Sequence, residues 1–236
     1  MEVGSWEKCL EEEWAFWVSW FVKYRDEGYC SHPGPLQWGI GVPIILESIH
    51  HLSVPLTPVT KVLEIGGGIV GMTSYFPTGK LYACDPLWHH FEGLRPHLGK
   101  AYESVRHDIN LLSLKAEDLP LRAGPFDIVI AINSLDHCSN PNRVLERIKA
   151  TTRSRAVLYE ATTVWKQQDK AVNPEQYSHG HPHIYFDDEW NELVTSCAFR
   201  PVSKPLLDRN LQEEWRRIHH VTDDSWPCDL RVWRRL

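Results

Sequence analysis

The chain has 236 residues, of which 42% are hydrophobic and 24% are charged, and its formal net charge is −6. This length and composition suit a single α/β domain with a full hydrophobic core and small additions. The acidic balance disfavours nucleic acid as a partner. Neither a signal-peptide pattern nor an apolar run of about 18 residues is present, so we expect a cytoplasmic protein that makes no membrane contact.

Two residue types are distributed in ways that bear on function. The cysteines are scattered without a Cys-x-x-Cys pair, which is typical of free thiols in a reducing compartment. Arginines gather near the C-terminus, and we interpret them as solvated strand faces rather than as a nucleic-acid patch. These arginines are Arg216, Arg217, Arg231, Arg234 and Arg235.

The N-terminal part of the chain is rich in tryptophan and is predicted to add a helix at 6–24 to the main domain. Its apolar residues recur at helical spacing and share one face, with the acidic residues on the solvent side. The apolar residues are Leu10, Trp14, Trp17 and Phe21, and the acidic ones are Glu11, Glu12 and Glu13. Glycine and proline predict a loop at 28–43, and a short helix follows at 44–52. The aromatic face has three interpretations: core packing, a lid that excludes water, or a protein interface.

Beyond residue 59 the pattern changes to strands that alternate with helices. Strands are predicted at 62–65, 80–84, 126–132 and 156–160, within 104–112, and late in the chain at 202–206, 215–221 and 230–233, with helices at 141–150 and 187–197. This order predicts an α/β fold, a Rossmann-like doubly wound sheet of about seven mostly parallel strands, with an added N-terminal aromatic helix. We therefore divide the chain into an N-terminal helical extension or lid at 1–58 and a cofactor-binding domain at 59–236.

A glycine-rich turn after the first strand is the strongest indication of a ligand site. Gly66, Gly68 and Gly71 let the backbone turn sharply, and the helical stretch beyond them presents unpaired amides. The same glycines match a dinucleotide fingerprint. Glu64 precedes them, however, and its carboxylate would oppose a pyrophosphate but suit a cationic, methionine-like group. Asp85 closes the next strand, where a carboxylate can accept hydrogen bonds from ribose hydroxyls.

Several motifs in order along the chain resemble those of class I S-adenosylmethionine-dependent methyltransferases. The similar group is the type 11 set, which is related to the ubiquinone-biosynthesis methyltransferases. The motifs lie at 62–71, at Asp85, and at 116–121, 126–130 and 133–141, the last of which reads Asn-Ser-Leu-Asp-His-Cys-Ser-Asn-Pro. The resemblance implies a Rossmann-like fold and S-adenosylmethionine as the cofactor.

The resemblance also implies roles for individual residues. The methionine part of the cofactor would be held by Glu64 and the backbone at Gly66 and Gly68, the ribose by Asp85, and the adenine by Ala116 and Glu117. The wall near the methyl group would include Asn133, and Gly67 and Pro86 would also bind the cofactor. Two stretches depart from the family pattern. Lys115 stands where many members have an acidic residue that bonds the adenine, and 151–155 replace a Lys-Pro-Gly-Gly sequence. We discount the second change because that loop is far from the chemistry.

Methyl transfer to a hydroxyl group needs a base, and histidine is the usual one near neutral pH. His137 follows the fourth strand at the edge that would bind the cofactor. We interpret it as a base or a contact to the acceptor, or else as a residue that only orients its loop.

Three further histidines alternate along one segment, at His179, His181 and His183. In this fold the segment faces the substrate, so we predict that His179, His183 and Tyr185 line the acceptor pocket together with Trp38. His181 is a second candidate catalytic residue. A metal site built from these histidines is the less favoured alternative, and we assign no metal.

These observations predict a methyltransferase that acts on a small polar acceptor, at oxygen, such as a sugar, a natural-product intermediate or a small phenol. Two alternatives stay open. One is an NAD(P)-dependent oxidoreductase that uses the same glycine turn, and the other is a catalytically silent methyltransferase-like subunit that holds a partner through its aromatic surface. A homodimer is also left open.

Overall fold

The structure is a computed structural model that describes residues 5–27, 35–98, 105–162, 164–165, 182–183, 185–202 and 230–236. The helices are α1 (Trp6–Glu27), α2 (Pro35–His51), α3 (Trp88–Phe91), α4 (Pro141–Thr151) and α5 (Asp187–Ser196). The strands are β1 (Lys61–Ile65), β2 (Lys80–Cys84), β3 (Ile109–Leu112), β4 (Phe126–Ile132), β5 (Thr152–Ala161), β6 (Val164–Trp165), β7 (Tyr185–Phe186), β8 (Phe199–Pro201) and β9 (Arg231–Arg235). Short 3₁₀ turns lie at Met72–Tyr75, Arg95–Leu98, Ala116–Asp118, Leu121–Ala123 and Leu135–His137.

The central sheet has seven strands in the order β3-β2-β1-β4-β5-β9-β8. Strands β1 to β5 run parallel, whereas β9 is antiparallel to both β5 and β8. The chain leaves β1 towards β2 and β3 and returns to form β4 on the other side of β1, so the sheet has its topological switch point between β1 and β4. The predicted Rossmann-like, doubly wound sheet is confirmed. In such sheets ligands bind beyond the carboxyl ends of the strands at the switch point.

The core lies on both faces of the sheet. On one face α2 packs against the sheet, with Ile45 and Tyr159 fully buried. On the other face α4 and α5 do so, with Leu145 and Trp190 fully buried. Burying each large apolar side chain stabilises the fold by about 1.5–3 kcal/mol. These two layers hold the strand ends in place and therefore position the site at the switch point.

Helix α2 differs from the sequence prediction, which was a loop at 28–43 and a helix only at 44–52. The helix begins at Pro35 and continues through Pro43. A proline fits the first turn of a helix because the N–H that it lacks would be unpaired there, but inside a helix it removes a hydrogen bond. Ile45 is completely buried in the core. We conclude that burial of this helix against the sheet outweighs the cost of the internal proline.

Other elements also differ from their predicted bounds. The helix-like stretch expected after the glycine turn is only the 3₁₀ turn Met72–Tyr75. Strand β8 precedes the predicted 202–206, because Phe199 is the residue that fills the core. The prediction at 230–233 is confirmed by β9, and the one at 215–221 lies outside the described residues.

None of the described helices is long and apolar enough to span a membrane. The described cysteines Cys9, Cys84, Cys138 and Cys197 are free thiols, as the sequence predicts. Helix α2 shares its core with the sheet, while α1 packs on the segments that follow β1 and β2. The division of the chain at residue 58 stays a prediction.

Candidate active site

The glycine turn lies at the switch point and is tightly packed. Gly66 and Gly68 have φ values of +71° and +57°, in the left-handed region that glycine adopts readily. A Cβ atom on Gly66 would lie only 2.4 Å from the Cβ of Ser134, which follows β4. The N–H of Gly66 also donates to the C=O of Cys84 at 2.8 Å. The turn is therefore fixed between the ends of β2 and β4.

Glu64, at the end of β1, supports the turn from inside the protein. The backbone N–H groups of Met72 and Thr73 donate to its carboxylate at 2.8 and 2.9 Å, and the Thr73 hydroxyl donates at 2.6 Å. Burial raises the pKa of Glu64 above its ordinary value, and these three donors oppose that rise. Two amides that the sequence led us to expect facing a ligand are thus taken by Glu64. The carboxylate therefore fixes the turn from beneath.

Asp85, which follows β2, faces the turn from the other side. It is only 6% exposed, and its two oxygens accept the N–H groups of Gly68 and Leu87, each at 2.8 Å. Burial, together with the nearby charge of Glu13, raises the pKa of Asp85 to about 6, although these donors and Arg95 oppose the rise. Each carboxylate oxygen has a further lone pair. Asp85 can therefore accept ribose hydroxyls while it still holds the turn.

Arg95 is a second support for the turn, and the sequence analysis missed it. Its side chain is buried, and its Nε donates to the C=O of Ile69 at 2.8 Å. Its guanidinium lies over the indole of Trp88, 3.5 Å from the ring centroid. The positive charge partly offsets the buried carboxylates nearby. No motif marks this residue in the sequence, because its partners are a backbone carbonyl and an aromatic ring.

Glu117, which the sequence predicts to lie along the adenine, is buried in the 3₁₀ turn Ala116–Asp118. Its Oε1 accepts the Ser139 hydroxyl and the Asn140 N–H, both at 2.8 Å, and the residue is buried. Its backbone C=O accepts the Nε of Arg143 and of Arg147, both at 3.2 Å. Glu117 therefore ties this turn to the start of α4, and its side chain is already engaged.

The residues just after β4 complete the crevice. Asn133 has a φ of +48°, which is uncommon outside glycine, and its N–H donates to Ala161 at 2.6 Å. This turn exposes the Asn133 side chain at the strand end. Ser134 is buried, and its hydroxyl has no hydrogen-bond partner among the described residues. Strained backbone and unsatisfied buried groups of this kind concentrate at functional sites.

His137 meets a carboxylate from α1. Its Nδ1 lies 3.6 Å from Oε2 of Glu13, and the indole N–H of Trp17 donates to Oε1 of the same carboxylate at 2.7 Å. The prediction that Glu13 faces water is therefore wrong. The sequence did carry the signal, since Glu13 is three residues after Leu10 and four before Trp17, which places all three on one helix face.

Helix α1 lies across the carboxyl ends of the strands. Near its start, the ring of Trp6 lies 3.5 Å from Nζ of Lys115. Near its middle, Glu13 meets His137, and further along Trp17 packs against Phe91 with ring centroids 5.7 Å apart. Its aromatic face shares a buried cluster with the residues of the glycine turn. The core-packing interpretation therefore describes α1, and the lid interpretation stays a prediction.

His183 and Tyr185 lie beside the segment that follows β4. Nε2 of His183 is 3.0 Å from the C=O of Ser139, and the ring centroids of Tyr185 and Trp190 are 4.9 Å apart. Burial and the charge of Asp136 raise the pKa of Tyr185. These two predicted acceptor residues are therefore next to the tract that contains His137.

The remaining predicted acceptor residues are not tested. His179 and His181 lie outside the described residues, and only the backbone of Trp38 is described, within α2. Among the described residues, no group of three or more His, Cys, Asp or Glu side chains could hold a metal ion. The metal alternative for the three histidines therefore stays open.

Comparison with known proteins identifies the family. A family model described as "Methyltransferase domain" matches residues 63–159, which include Glu64, the glycine turn, Asp85 and His137. Residues 63–159 carry a methyltransferase domain of the type 11 group. The predicted family, and with it S-adenosylmethionine as the cofactor, is confirmed. No curated protein sequence matches the chain at a significant level.

Solved structures share the fold of this methyltransferase. The plantazolicin methyltransferase BpumL, in complex with a pentazolic desmethylPZN analog and SAH, has a TM-score of 0.58 at 18% identity, with 98% of each chain covered. A protein from Bacillus halodurans classed as a methyltransferase has a TM-score of 0.56 at 14% identity, with 79% of this chain and 98% of that chain covered. The cyclase SpnF has a TM-score of 0.54 at 12% identity, with 83% and 80% covered. At these identities the likeness establishes the fold.

The charges of the methyltransferase site fit a cationic cofactor. Glu64, Asp85 and Asp136 are all at most 6% exposed, and all three carboxylates lie at or just beyond the carboxyl ends of the strands. Buried carboxylates favour a ligand with positive charge and disfavour a pyrophosphate. S-adenosylmethionine carries a sulfonium and an ammonium group, so the electrostatics of the crevice suit it.

Proposed function

We propose that this methyltransferase transfers the methyl group of S-adenosylmethionine to an oxygen atom of a small polar acceptor. The observation that carries the proposal is the pair of His137 and Glu13, whose facing atoms are 3.6 Å apart. A carboxylate that faces Nδ1 favours the tautomer with its proton there, which makes Nε2 the nitrogen that accepts a proton. A hydroxyl acceptor requires such a base, whereas a neutral amine does not.

The cofactor would be held by the residues that the sequence predicts. When bound, S-adenosylmethionine supplies a methyl group on a positively charged sulfur. We assign its methionine part to Glu64, Gly66, Gly67 and Gly68, its ribose to Asp85 and Pro86, its adenine to Ala116 and Glu117, and the wall near its methyl group to Asn133. Glu64 acts through the shape and charge of the turn, because its oxygens already accept three hydrogen bonds.

The proton and the acceptor would be handled by α1 and the segment after β4. His137 would take the proton of the acceptor hydroxyl at Nε2, and the cofactor would supply its methyl group to the same oxygen. Glu13 holds the imidazole by its other nitrogen. Helix α1 covers the crevice and limits the entry of water, which strengthens the electrostatic interactions inside it.

The acceptor pocket is assigned to His183 and Tyr185, with His179, His181 and Trp38 as further predicted members. A crevice covered by a helix suits a small molecule better than a folded macromolecule. The plantazolicin methyltransferase BpumL forms a complex with a pentazolic desmethylPZN analog and SAH, which supports a small-molecule acceptor here. The homodimer and the absence of a nucleic-acid partner stay predictions.

The test is a methyl-transfer assay with labelled S-adenosylmethionine against sugars, phenols, other hydroxyl compounds and amines. We expect label on a hydroxyl oxygen. His137→Gln should then lower turnover by about 100-fold or more, the contribution typical of a general base, without changing SAH affinity. His107→Gln, at an exposed position, is the matched control. Label on nitrogen alone, or an unchanged rate in His137→Gln, would contradict the proposal.

The two alternatives fare differently. The match to a methyltransferase family model argues against the NAD(P)-dependent oxidoreductase, and the buried carboxylates oppose its pyrophosphate. The silent subunit is the rival that the same assay addresses, because a fold neighbour, SpnF, is named as a cyclase. Tight SAH binding without transfer to any acceptor in the panel would favour the silent subunit.

A further inference from the structure

A second cavity lies at the end of the sheet opposite the cofactor crevice. Its volume is about 460 Å³, within the range of small-ligand sites. Arg155 from the first half of β5 and Arg234 from the end of β9 line it. Because β9 runs antiparallel to β5, the end of β9 lies beside the beginning of β5. The glycine turn follows the opposite ends of the parallel strands, so this cavity is separate from the methyl-transfer site.

Four arginines are among the residues that line this cavity: Arg155, Arg200, Arg234 and Arg235. None of the described residues that line it is acidic. The neighbouring Arg153 does have an acidic partner, with its Nε 3.0 Å from Asp127, but it does not line the cavity. The side chains that line the cavity therefore include several cations and no carboxylate.

The arginines are held in place by the backbone and keep hydrogen-bonding capacity. Nη2 of Arg234 donates to the C=O of Leu52 at 3.0 Å, while its buried Nε has no hydrogen-bond partner within the described part of the chain. Arg235 donates to the backbone of Thr152. Since a guanidinium has five N–H groups, each of these side chains retains donors for a ligand.

The backbone at Arg155 is unusual in a way that suits a site. Thr152 pairs with Phe126 and Val157 pairs with Ile128, so the residues between them on β5 form a bulge against a single residue of β4. Within this bulge Arg155 has a φ of +69°, a backbone conformation that residues other than glycine seldom adopt. Bulges of this kind re-aim side chains at functional positions.

We propose that this cavity binds a small organic anion that carries a phosphate group. The planar guanidinium forks match phosphate oxygens in bidentate pairs, and four of them favour a doubly charged group. Leu52, Pro201 and Val202 add an apolar wall that suits a hydrophobic body attached to the phosphate. The first interpretation of Arg234 and Arg235 as solvated strand faces is replaced by this one, since both are half-buried.

The test is calorimetry of the full chain with phenyl phosphate and with phenol. Phenyl phosphate should bind and phenol should not. Arg155→Gln and Arg200→Gln, both at exposed positions, should each lower the affinity for phenyl phosphate by about tenfold, the loss expected for one charge-assisted pair. Each variant should bind SAH as the parent does, because its substitution is at the other end of the sheet.

Arg153→Gln is the matched control, since it removes an exposed charge from the same strand without touching the cavity. Its affinity for phenyl phosphate should stay within about twofold of the parent. No heat with phenyl phosphate in the parent chain would overturn the proposal. So would an equal loss in Arg153→Gln, which would indicate general surface charge instead of a site.

Discussion

The two ends of the central sheet carry opposite charges. The carboxyl end has the buried carboxylates Glu64 and Asp85 beneath a helix, whereas the amino end has Arg155 and Arg200 around an open cavity. The formal net charge of −6 for the whole chain hides this separation. The location of charged residues at one or the other strand end therefore indicates a partner better than the net charge does. One sheet can then favour a cation at one end and an anion at the other.

The two ends also differ in what their charges cost. At the carboxyl end the acidic groups are buried, so backbone N–H donors have to offset their desolvation. At the amino end Arg155 and Arg200 are exposed, and desolvation costs them little. The carboxyl end is therefore the more tightly determined region, and substitutions there are expected to have the larger effects.

The largest effect is expected from Gly66→Ala. The new Cβ would meet Ser134 at 2.4 Å, and alanine would have to adopt a φ of +71°. The clash and the left-handed backbone together should lower the free energy of unfolding by about 3 kcal/mol. Urea denaturation measures this loss.

The matched control is Gly93→Ala, because a Cβ on Gly93 would have nothing within 4 Å among the described residues. Its stability should change by less than about 0.5 kcal/mol. Equal stability of the two variants would mean that the carboxyl end is not the tightly packed region described above.

The next effect is the loss of cofactor affinity in Asp85→Ala. Removing the carboxylate removes an acceptor for the ribose and releases the N–H of Gly68 from its partner. SAH binding should weaken by about 1–3 kcal/mol, measured by calorimetry. Asp118→Ala, at an exposed residue that pairs with Arg143, is the control and should leave the affinity unchanged. Unchanged SAH affinity in a folded Asp85→Ala would remove Asp85 from the pocket.

The raised pKa of Asp85, about 6, predicts how SAH binding depends on pH. Below that pKa the carboxyl takes up a proton and can no longer accept two ribose hydroxyls as a carboxylate. The affinity should therefore be constant above about pH 7 and fall by up to about tenfold per pH unit below about 6. Folding depends on pH in the opposite direction. Without ligand, the contribution of Asp85 to stability is fully present below its ordinary pKa and is lost as pH rises through its raised pKa of about 6.

The variant that isolates the contribution of Asp85 to the pH dependence is Asp85→Asn. It should bind SAH weakly and lose the fall that sets in near pH 6. If the parent and the variant show the same pH profile, the titration belongs to another group. Asp85 would then not be the group that makes SAH binding depend on pH.

Much of the site at the carboxyl end of the sheet could be predicted from the sequence, because its sequence signals are local. The order of glycines after Glu64, together with a carboxylate at the end of the next strand, is enough to indicate the crevice. The parallel sheet is predicted because apolar strands alternate with helices along the chain. Local signals gave a wrong prediction at α2, where residues 35–43 were expected to form a loop. The helix forms there because it is buried against the sheet, which local sequence does not show.

The cavity at the amino end of the sheet could not be predicted, since its arginines are far apart in the chain. Arg155, Arg200 and Arg234 meet only because β9 returns antiparallel between β5 and β8. Arg95 was missed for a similar reason, because its partners are a carbonyl and an indole. Glu13 was within reach of the sequence, since helical spacing places it on the aromatic face.

The smallest expected effect concerns the contact that holds α1 over the carboxyl end of the sheet. Lys115 stands where many members of the family have an acidic residue, and its Nζ lies 3.5 Å from the ring centroid of Trp6 in α1. A cation–π contact at a partly exposed position contributes about 0.5–1 kcal/mol, so Lys115→Ala should weaken SAH binding roughly two- to fivefold. Lys149→Ala, at a lysine that pairs with Glu146 on α4, is the control.

A double-mutant cycle with Trp6→Ala decides whether the contact itself acts on the cofactor. If Lys115 and Trp6 stabilise the closed lid together, the second substitution costs nothing further once the first is made, and the measured coupling equals the single effect. Additive losses would mean that the two residues act independently. In that case the departure of Lys115 from the family pattern concerns the adenine, and closure of α1 depends on Glu13 and the buried aromatic cluster instead.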